Sequence, residues 1–463
     1  MSKKKNADLE NGSIGKLLVT LAVPSIIAQI VNLLYNMVDR IFIGRMPSGD
    51  LAMAGIGIVT PIVLLVTAFS SLVGFGGSPR VAIKMGQKDK EGAEEILGNS
   101  FSLIIIIGLI LTTVFFIFKE QIVMAFGGSS NTAQYAIDYL SIYLIGTVFV
   151  QIAVGMNPYI NTQGFTKIGM ITVAIGAGLN IILDPIFIFG LNLGVKGAAL
   201  ATIISQFVSA MFVLKFLFGN KTLLKIRKEH LKLKKDVVLA TLALGIAPFI
   251  MQSTESIVLI SLNNQLLKYG GDIAVSAMTI MSSMMQMIML PMTGLTQGAQ
   301  PILSYNYGAQ RYDRVKQAFK LLFISSLTFT MCAVSLLMIF PEFFVKIFSG
   351  DIALVEMTSW SMRIYFAGMG IFGMQLSCQQ TFLSLGQAKI SLFLALLRKI
   401  ILLIPLIFIL PMFVDNGLFA VLLAEPVADV IAALTTVACF TVFYKKTLSK
   451  ININENNKSI AHF

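Results

Sequence analysis

Polar side chains interrupt a segment that is otherwise apolar enough to cross a membrane. Asn32, Tyr35, Asn36 and Asp39 follow the spacing i, i+3, i+4, i+7, so on an α-helix they share one face. A carboxylate at the centre of a membrane helix costs at least about 2.5 kcal/mol and normally faces a partner or an aqueous cavity. Asp39 is therefore a candidate ligand for a cation or a proton.

A second polar cluster lies further along the chain, in GLNIILDPIF and GAALATIIS. Asn180 and Asp184 are spaced i, i+4, directly before Pro185, and Thr202 follows in the next apolar segment. Together with Asp39 they can lie about 6 to 15 Å below the outer membrane surface. Two carboxylates, an amide oxygen and a hydroxyl suit Na⁺, and two close carboxylates in a low dielectric suit H⁺. We predict a cation-binding and coupling site at these residues.

Three other acids fall within apolar segments. Glu255, in MQSTESIVL, lies near the middle of the seventh apolar segment, and Glu425 and Asp429 are spaced i, i+4 in LLAEPVADV. They are a possible second acidic site; the alternative is hydrogen bonding to neighbouring helices. The two histidines, His230 and His462, lie in polar segments, so proton movement must use carboxylates.

Substrate contact requires adaptable or polar side chains facing a shared cavity. A methionine stripe at helical spacing suits many apolar shapes, although ordinary helix packing is the alternative interpretation. Pro24 is the predicted bending point of the first helix. The candidate cavity residues are Asn32, Tyr35, Asn36, Asn157, Met281 and Met285.

Composition identifies the elements that must position these residues. The chain has 463 residues, of which 56% are hydrophobic and 13% charged, and its mean hydropathy is +0.82. Apolar runs of about 20 to 28 residues recur, each long enough to span a bilayer. We predict an all-α integral membrane protein with twelve spans: 17–43, 51–77, 97–118, 134–157, 168–190, 194–218, 238–266, 274–300, 318–341, 358–384, 390–413 and 417–443.

The distribution of basic residues predicts the topology. Of the 35 Lys and Arg residues, 28 fall on the side that carries both termini, including a loop assigned to Lys389–Lys399. This asymmetry follows the positive-inside rule and predicts a multi-pass cell-membrane protein with cytoplasmic termini. The net charge of +12 thus indicates topology and no nucleic-acid partner. Arg40 and Arg363 are the basic residues assigned to spans, both near the outer ends.

The two halves of the chain repeat each other. Pro79 in GGSPRVAIKMGQKD matches Pro301 in GAQPILSYNYGAQ, and Pro185 matches Pro405 at nearly the same offset. At such offsets Asp39 becomes Asn263, and Asn180 and Asp184 fall near Ile400 and Ile404, so the fold itself does not require the acids. Six spans per copy predict two parallel bundles related by a pseudo-two-fold axis along the membrane normal. The predicted divisions are tail 1–16, bundle 17–218, linker 219–236, bundle 237–444 and tail 445–463.

The motifs in this order resemble the multidrug and toxic compound extrusion (MATE) family, over residues 15 to 445. The resemblance is carried by PSIIAQIVNLLYNMVDRIFIG, by the paired loops above, and by LNIILDPIFIFG followed by GVKGAALAT. It implies two bundles forming a V around a central cavity, and export of amphipathic, often cationic drugs by antiport with H⁺ or Na⁺. It places the cation site of the first bundle at Asp39, Asn180, Asp184 and Thr202, and relates Glu255 to an acid of some members.

Two alternatives stay open at this point, a related transporter and an enzyme. A flippase for a lipid-linked sugar would share the architecture, but a pyrophosphate headgroup would need cationic residues within the cavity. An intramembrane enzyme is disfavoured because HExxH, GxSxG and phosphate-loop motifs are absent from the sequence. We expect no cofactor apart from the coupling ion, no structural metal, contact with membrane lipids, and a monomer.

Overall fold

A computed structural model describes residues 7–47 and 49–448. In the first half of the chain, the α-helices have the following bounds: α1 Ile14–Gly44, α2 Gly49–Gly86, α3 Lys90–Ile117, α4 Lys119–Ala125, α5 Ala133–Ile145, α6 Thr147–Thr162, α7 Thr166–Pro185 and α8 Val195–Leu217. A π-helix, Ile186–Gly190, continues α7 beyond Pro185. This N-half, residues 14–217, contains the predicted coupling residues.

The second half, residues 235–448, repeats the pattern. Its α-helices are α9 Lys235–Ser253, α10 Glu255–Gly308, α11 Tyr312–Ile339, α12 Pro341–Lys346, α13 Ile352–Tyr365, α14 Phe372–Ser384, α15 Ala388–Leu396, α16 Ile404–Ile409 and α17 Gly417–Phe443. A π-helix, Leu397–Leu403, joins α15 to α16, and another, Tyr444–Leu448, follows α17. We call this part the C-half.

The helices are long and apolar because they cross a membrane. Nine helical runs among the described residues are long and apolar enough, and the pair α5 and α6, bent by 61°, makes ten. Gly271, with φ 65°, breaks α10, so the run Lys235–Gly308 supplies two crossings. The pair α13 and α14 is the repeat of α5 and α6. The ten spans, the second crossing within Lys235–Gly308, and the pair α13 and α14 together make twelve. The fold thus confirms the predicted number of spans.

Backbone geometry follows the repeat. Gly164 and its counterpart Gly386 both have positive φ, at 83° and 73°. Lys88 and Gln310, related by the same offset, have φ of 61° and 59° although neither is glycine. Non-glycine residues rarely adopt this conformation, so two such matches indicate the same loop built twice. Large apolar side chains such as Ile117, 63% exposed, cover the outside and suit lipid.

Contacts between the two halves are concentrated toward one end of the molecule. Arg80 of α2 donates hydrogen bonds to the Val237 carbonyl and to Thr241 Oγ1, both at 2.8 Å. Gly76 and Gly245 let α2 and α9 approach so closely that a Cβ on either would overlap the other helix. We call this end, which includes the connection 218–234, the linker face.

The connection between the halves is fastened to the N-half. Gln163 Oε1 accepts hydrogen bonds from Thr222 Oγ1 and from the backbone N–H groups of Leu223 and Leu224, at 2.8 to 2.9 Å. Asn99 donates to the His230 carbonyl and accepts from the Lys234 N–H. Because both ends of the connection are held, it packs against α3 and the α6–α7 turn.

One loop assignment from the sequence is wrong. Arg398 and Lys399 are 5% and 6% exposed and lie in the π-helix between α15 and α16, within the membrane-spanning part of the C-half. The expectation that Arg40 and Arg363 are the basic residues of the spans is therefore also wrong. Partner carboxylates on α10 and α17 offset the cost of burying these two cations, as described below, and hydropathy alone does not register such partners.

Candidate cation and substrate site

Four side chains predicted to share one membrane level meet in the N-half. α1 contributes Asp39, α7 contributes Asn180 and Asp184, and α8 contributes Thr202; each is 9% exposed or less. Asn180 Nδ2 donates to Asp184 Oδ1 and to Thr202 Oγ1, both at 3.3 Å. The carboxyl groups of Asp39 and Asp184 lie near enough to interact electrostatically with each other. The i, i+4 spacing on α7 aims Asn180 and Asp184 at the same neighbours.

This cluster presents oxygens that no donor satisfies. Asp39 Oδ1, Asn180 Oδ1 and Asp184 Oδ2 are buried and accept no hydrogen bond from the described residues. Buried polar atoms are otherwise nearly always paired, because desolvation without a partner is costly. Three converging free oxygens, two of them acidic, have the chemistry of a site for a small hard cation or for a proton shared between carboxyls.

Tyrosines that the sequence reading missed complete the cluster. Tyr35 on α1 and Tyr139 on α5 lie close to Thr202 and Asp39. Tyr143 stacks on Tyr139, with ring centroids 6.1 Å apart. The signal that could have identified them is the i, i+4, i+8 spacing of Tyr135, Tyr139 and Tyr143, which aligns one face of α5.

A cavity of about 380 Å³, lined by polar and apolar side chains, opens next to this cluster, between the halves. Its wall includes Asn32, Tyr35, Asn157, Asn180 and Thr202 from the N-half. The C-half contributes uncharged polar side chains: Gln252, Thr293, Gln297 and Gln300. Inter-half hydrogen bonds, such as Ser71 Oγ to Gln252 Oε1 at 2.8 Å and Gln300 Nε2 to Ser78 Oγ at 3.1 Å, separate the cavity from the linker face.

Other predicted cavity residues lie elsewhere in this structure. Asn36 is exposed and its amide donates to the Asn32 carbonyl of its own helix, at 2.7 Å. Met281 is fully buried in the C-half core, and Met285 packs against that core. The methionine stripe faces neighbouring helices of the C-half, so neither methionine lines the cavity. Pro24 is buried inside a continuous α1.

The candidate second acidic site is occupied by basic side chains of the same chain. Lys399 Nζ forms an ion pair with Glu255. Arg398 donates to both Glu425 and Asp429, which are 4% and 2% exposed. These acids are paired with cations, unlike Asp39 and Asp184.

The architecture and the site define a class of protein. Two parallel six-helix halves, a cavity between them that reaches partway through the membrane, and buried acids beside it are the features of a secondary transporter. The MatE family model matches residues 24–186 and 246–409, two segments that begin at corresponding places in the two halves. The chain belongs to the MatE family, as the resemblance predicted.

Individual relatives cover nearly the whole chain. The multidrug export protein MepA of Staphylococcus haemolyticus (strain JCSC1435) is 27% identical over 426 residues, 91% of this chain and 93% of that protein. An outward-facing multidrug resistance MATE family transporter of the MOP superfamily superposes with a TM-score of 0.89, at 23% identity, over 96% of this chain and 99% of its own. A MOP superfamily transporter from Pyrococcus furiosus superposes at 0.88, with 23% identity and 95% and 97% coverage; it is described as having a binding pocket of reversed polarity that suggests a different function.

Proposed function

We propose that this protein exports amphipathic, mainly cationic compounds across the cell membrane in exchange for H⁺ or Na⁺. The observation that carries the proposal is the set of buried, donor-free oxygens of Asp39, Asn180 and Asp184 beside the cavity. Neither Asp39 nor Asp184 forms an ion pair with a described residue, so a cation that reaches the site stabilises it. The multidrug export function of the MepA relatives supports the substrate class.

The orientation follows from the basic residues. The linker face carries the connection 218–234 and most of the Lys and Arg residues, and we assign it to the cytoplasm. The halves contact each other there, so the cavity is closed toward the cytoplasm and this structure corresponds to the outward-open state. A drug bound in the cavity would leave to the outside.

Exchange requires only that ion and drug bias one equilibrium in opposite directions. An ion or proton entering from outside binds between Asp39 and Asp184 and neutralises the charge that attracts a cationic drug. Because Asp39 and Tyr35 lie on α1, this binding also changes the contacts of α1 with α7 and α8. Pro24 lacks a backbone N–H, which allows α1 to bend at this level. Drug release then precedes closure of the outer side.

The lipid-linked sugar flippase is less well supported. The cavity wall contains amides and hydroxyls and, among the described residues, no Lys or Arg. A pyrophosphate headgroup would be left without cationic partners there. Arg398 and Lys399 do not change this, because each is already paired with carboxylates. The absence of enzymatic activity, of a cofactor and of oligomers stays a prediction.

The test is efflux of a fluorescent organic cation from proteoliposomes, with pH and Na⁺ gradients imposed separately. We expect Asp39→Asn to insert and fold normally but to lose gradient-driven efflux by at least tenfold, because a neutral amide cannot exchange a cation. Asp272→Asn, an exposed acid on α10, is the matched control and should transport normally. Wild-type rates from Asp39→Asn under every gradient would refute the assignment.

A further inference from the structure

The C-half contains a cluster of ion pairs, which we call the C-half charge cluster: Glu255, Arg398, Lys399, Glu425 and Asp429. All but Glu255, whose side chain is 42% exposed, are buried. Arg398 Nε donates to Asp429 Oδ1 at 2.7 Å, and its Nη2 donates to Glu425 Oε1 at 2.9 Å. Lys399 pairs with Glu255. Arg398, Lys399, Glu425 and Asp429 are each 6% exposed or less. The guanidinium thus bridges two acids of α17 by charge-assisted hydrogen bonds.

The repeat shows what occupies the same place in the N-half. The matches of Gly164 with Gly386 and of Pro185 with Pro405 bracket this region, and together they relate Arg398 to a position within 176–178. That segment is Gly-Ala-Gly, and its first two residues line the cavity. The small residues of the N-half leave space at this position, whereas the long side chain of Arg398 fills the corresponding space in the C-half.

The two acids that bind Arg398 are also replaced by other residue types in the N-half. At the offset that relates Pro185 to Pro405, Glu425 and Asp429 correspond to Ser205 and Ser209. Both serines line the cavity between the halves. The N-half has hydroxyls facing an open polar space, whereas the C-half has two carboxylates facing a guanidinium. The two halves therefore share one framework but differ in whether the corresponding space is available to a ligand.

We propose that Arg398 is a tethered counter-cation, which occupies the acid pair of the C-half so that the coupling ion is exchanged in the N-half alone. The inference rests on the proposed antiport and specifies its ion site. An ion from solution would have to displace a guanidinium that is covalently held, buried and bonded to both acids. Arg398 acts through Glu425 and Asp429 and is a positioning residue, because it does not line the cavity.

The C-half charge cluster contains one more carboxylate than it has cations. Three carboxylates face two cations, and Glu425 Oε2 is buried without a hydrogen-bond partner among the described residues. Lys399 matches Glu255, and Arg398 matches one of the two acids on α17. The proposal requires the proton or ion that balances this charge to stay bound throughout transport.

The first test counts ions on the purified full-length protein in lipid nanodiscs. Equilibrium binding of radioactive Na⁺ and proton release at a pH electrode are measured in an Asp39→Asn background, where the N-half site is disabled. We expect no binding with Arg398 present. Adding Arg398→Met should restore one exchangeable Na⁺ or proton per protein, and further addition of Asp429→Asn should abolish it. A merely structural arginine would not give this gain.

Two outcomes would overturn the proposal. One is ion exchange by Asp39→Asn with Arg398 intact that Glu425→Gln removes. The other is a folded Asp39→Asn, Arg398→Met protein that gains nothing. If Arg398→Met fails to fold, Glu425→Gln alone decides: the number of ions released per drug bound should equal that of the wild type, and a decrease by one contradicts the inference. Failure of the proposed antiport is distinguishable, because the wild type would then release no ion on binding the drug.

Discussion

The contact between α2 and α9 at the linker face is a sensitive place to perturb the equilibrium between the two access states. A Cβ at Gly245 would lie 1.7 Å from the Leu72 carbonyl oxygen. A Cβ atom essentially never comes within 3.0 Å of a neighbouring heavy atom, so Gly245→Ala forces the two backbones apart by at least about 1.3 Å. Neighbouring backbone atoms cannot rotate away as a side chain can. The closed arrangement at this face must therefore loosen.

The size of the effect follows from the cost of overpacking. Such an insertion costs about 1 to 3 kcal/mol, which shifts a two-state equilibrium by a factor of about 5 to 150. The measurement is the distance between spin labels at Lys221→Cys, on the connection held by the N-half, and Gln317→Cys, on α11. Gly245→Ala should populate a longer distance, since the halves separate where the labels lie.

The matched control is Gly57→Ala, another helical glycine. A Cβ at Gly57 meets nothing within 4 Å, so this substitution should leave the distance distribution as in the wild type. An unchanged distribution in a folded Gly245→Ala protein would refute the claim that close backbone packing holds this face shut. A longer distance in both variants would show a general effect of alanine and would contradict it equally.

Two further predictions concern the linker face. Gln163→Ala removes the acceptor of the Leu223 and Leu224 N–H groups, and each orphaned donor costs about 1 kcal/mol, so limited proteolysis should cleave within 218–234 at least several-fold faster than in Gln134→Ala. Asp89 caps α3 by accepting a hydrogen bond from the Gly92 N–H, and the hydrogen bond from Lys84 holds the pKa of the Asp89 carboxyl below its usual value. The ionised carboxylate therefore stabilises the fold fully above the ordinary pKa of Asp. This stabilisation is lost as the pH falls through the lowered pKa of the folded state. Asp89→Ala should therefore lower the melting temperature at pH 7, with a difference from wild type that shrinks below about pH 4; a difference independent of pH would contradict this reasoning.

Residues with strong local signals were placed well from the sequence. Hydropathy located the spans, and offsets between prolines and glycines located the repeat, because both depend on residue types along one stretch. The meeting of Asp39 with Asp184 could be expected because each lies at a similar depth on adjacent helices. Their functional role stays a prediction.

Features that depend on partners from distant helices were not accessible. Arg398 was assigned to a loop because its neutralising acids lie on α17, a separate helix later in the chain. The sequence predicts Met281 as a cavity residue because helical periodicity shows which residues share one face of a helix. It does not show which neighbouring helix covers that face. Tyr139 was missed because a tyrosine in an apolar helix is common, and its proximity to Thr202 arises only from the packing of α5 on α8.

The anchoring of the connection to the N-half shortens the real tether between the halves. Gln163 holds its beginning, and Asn99 holds it as far as Lys234, immediately before α9 begins. Most of the connection therefore moves as part of the N-half, and the pivot is confined to the entry of α9. The short tether therefore limits how far the two halves can separate at the linker face.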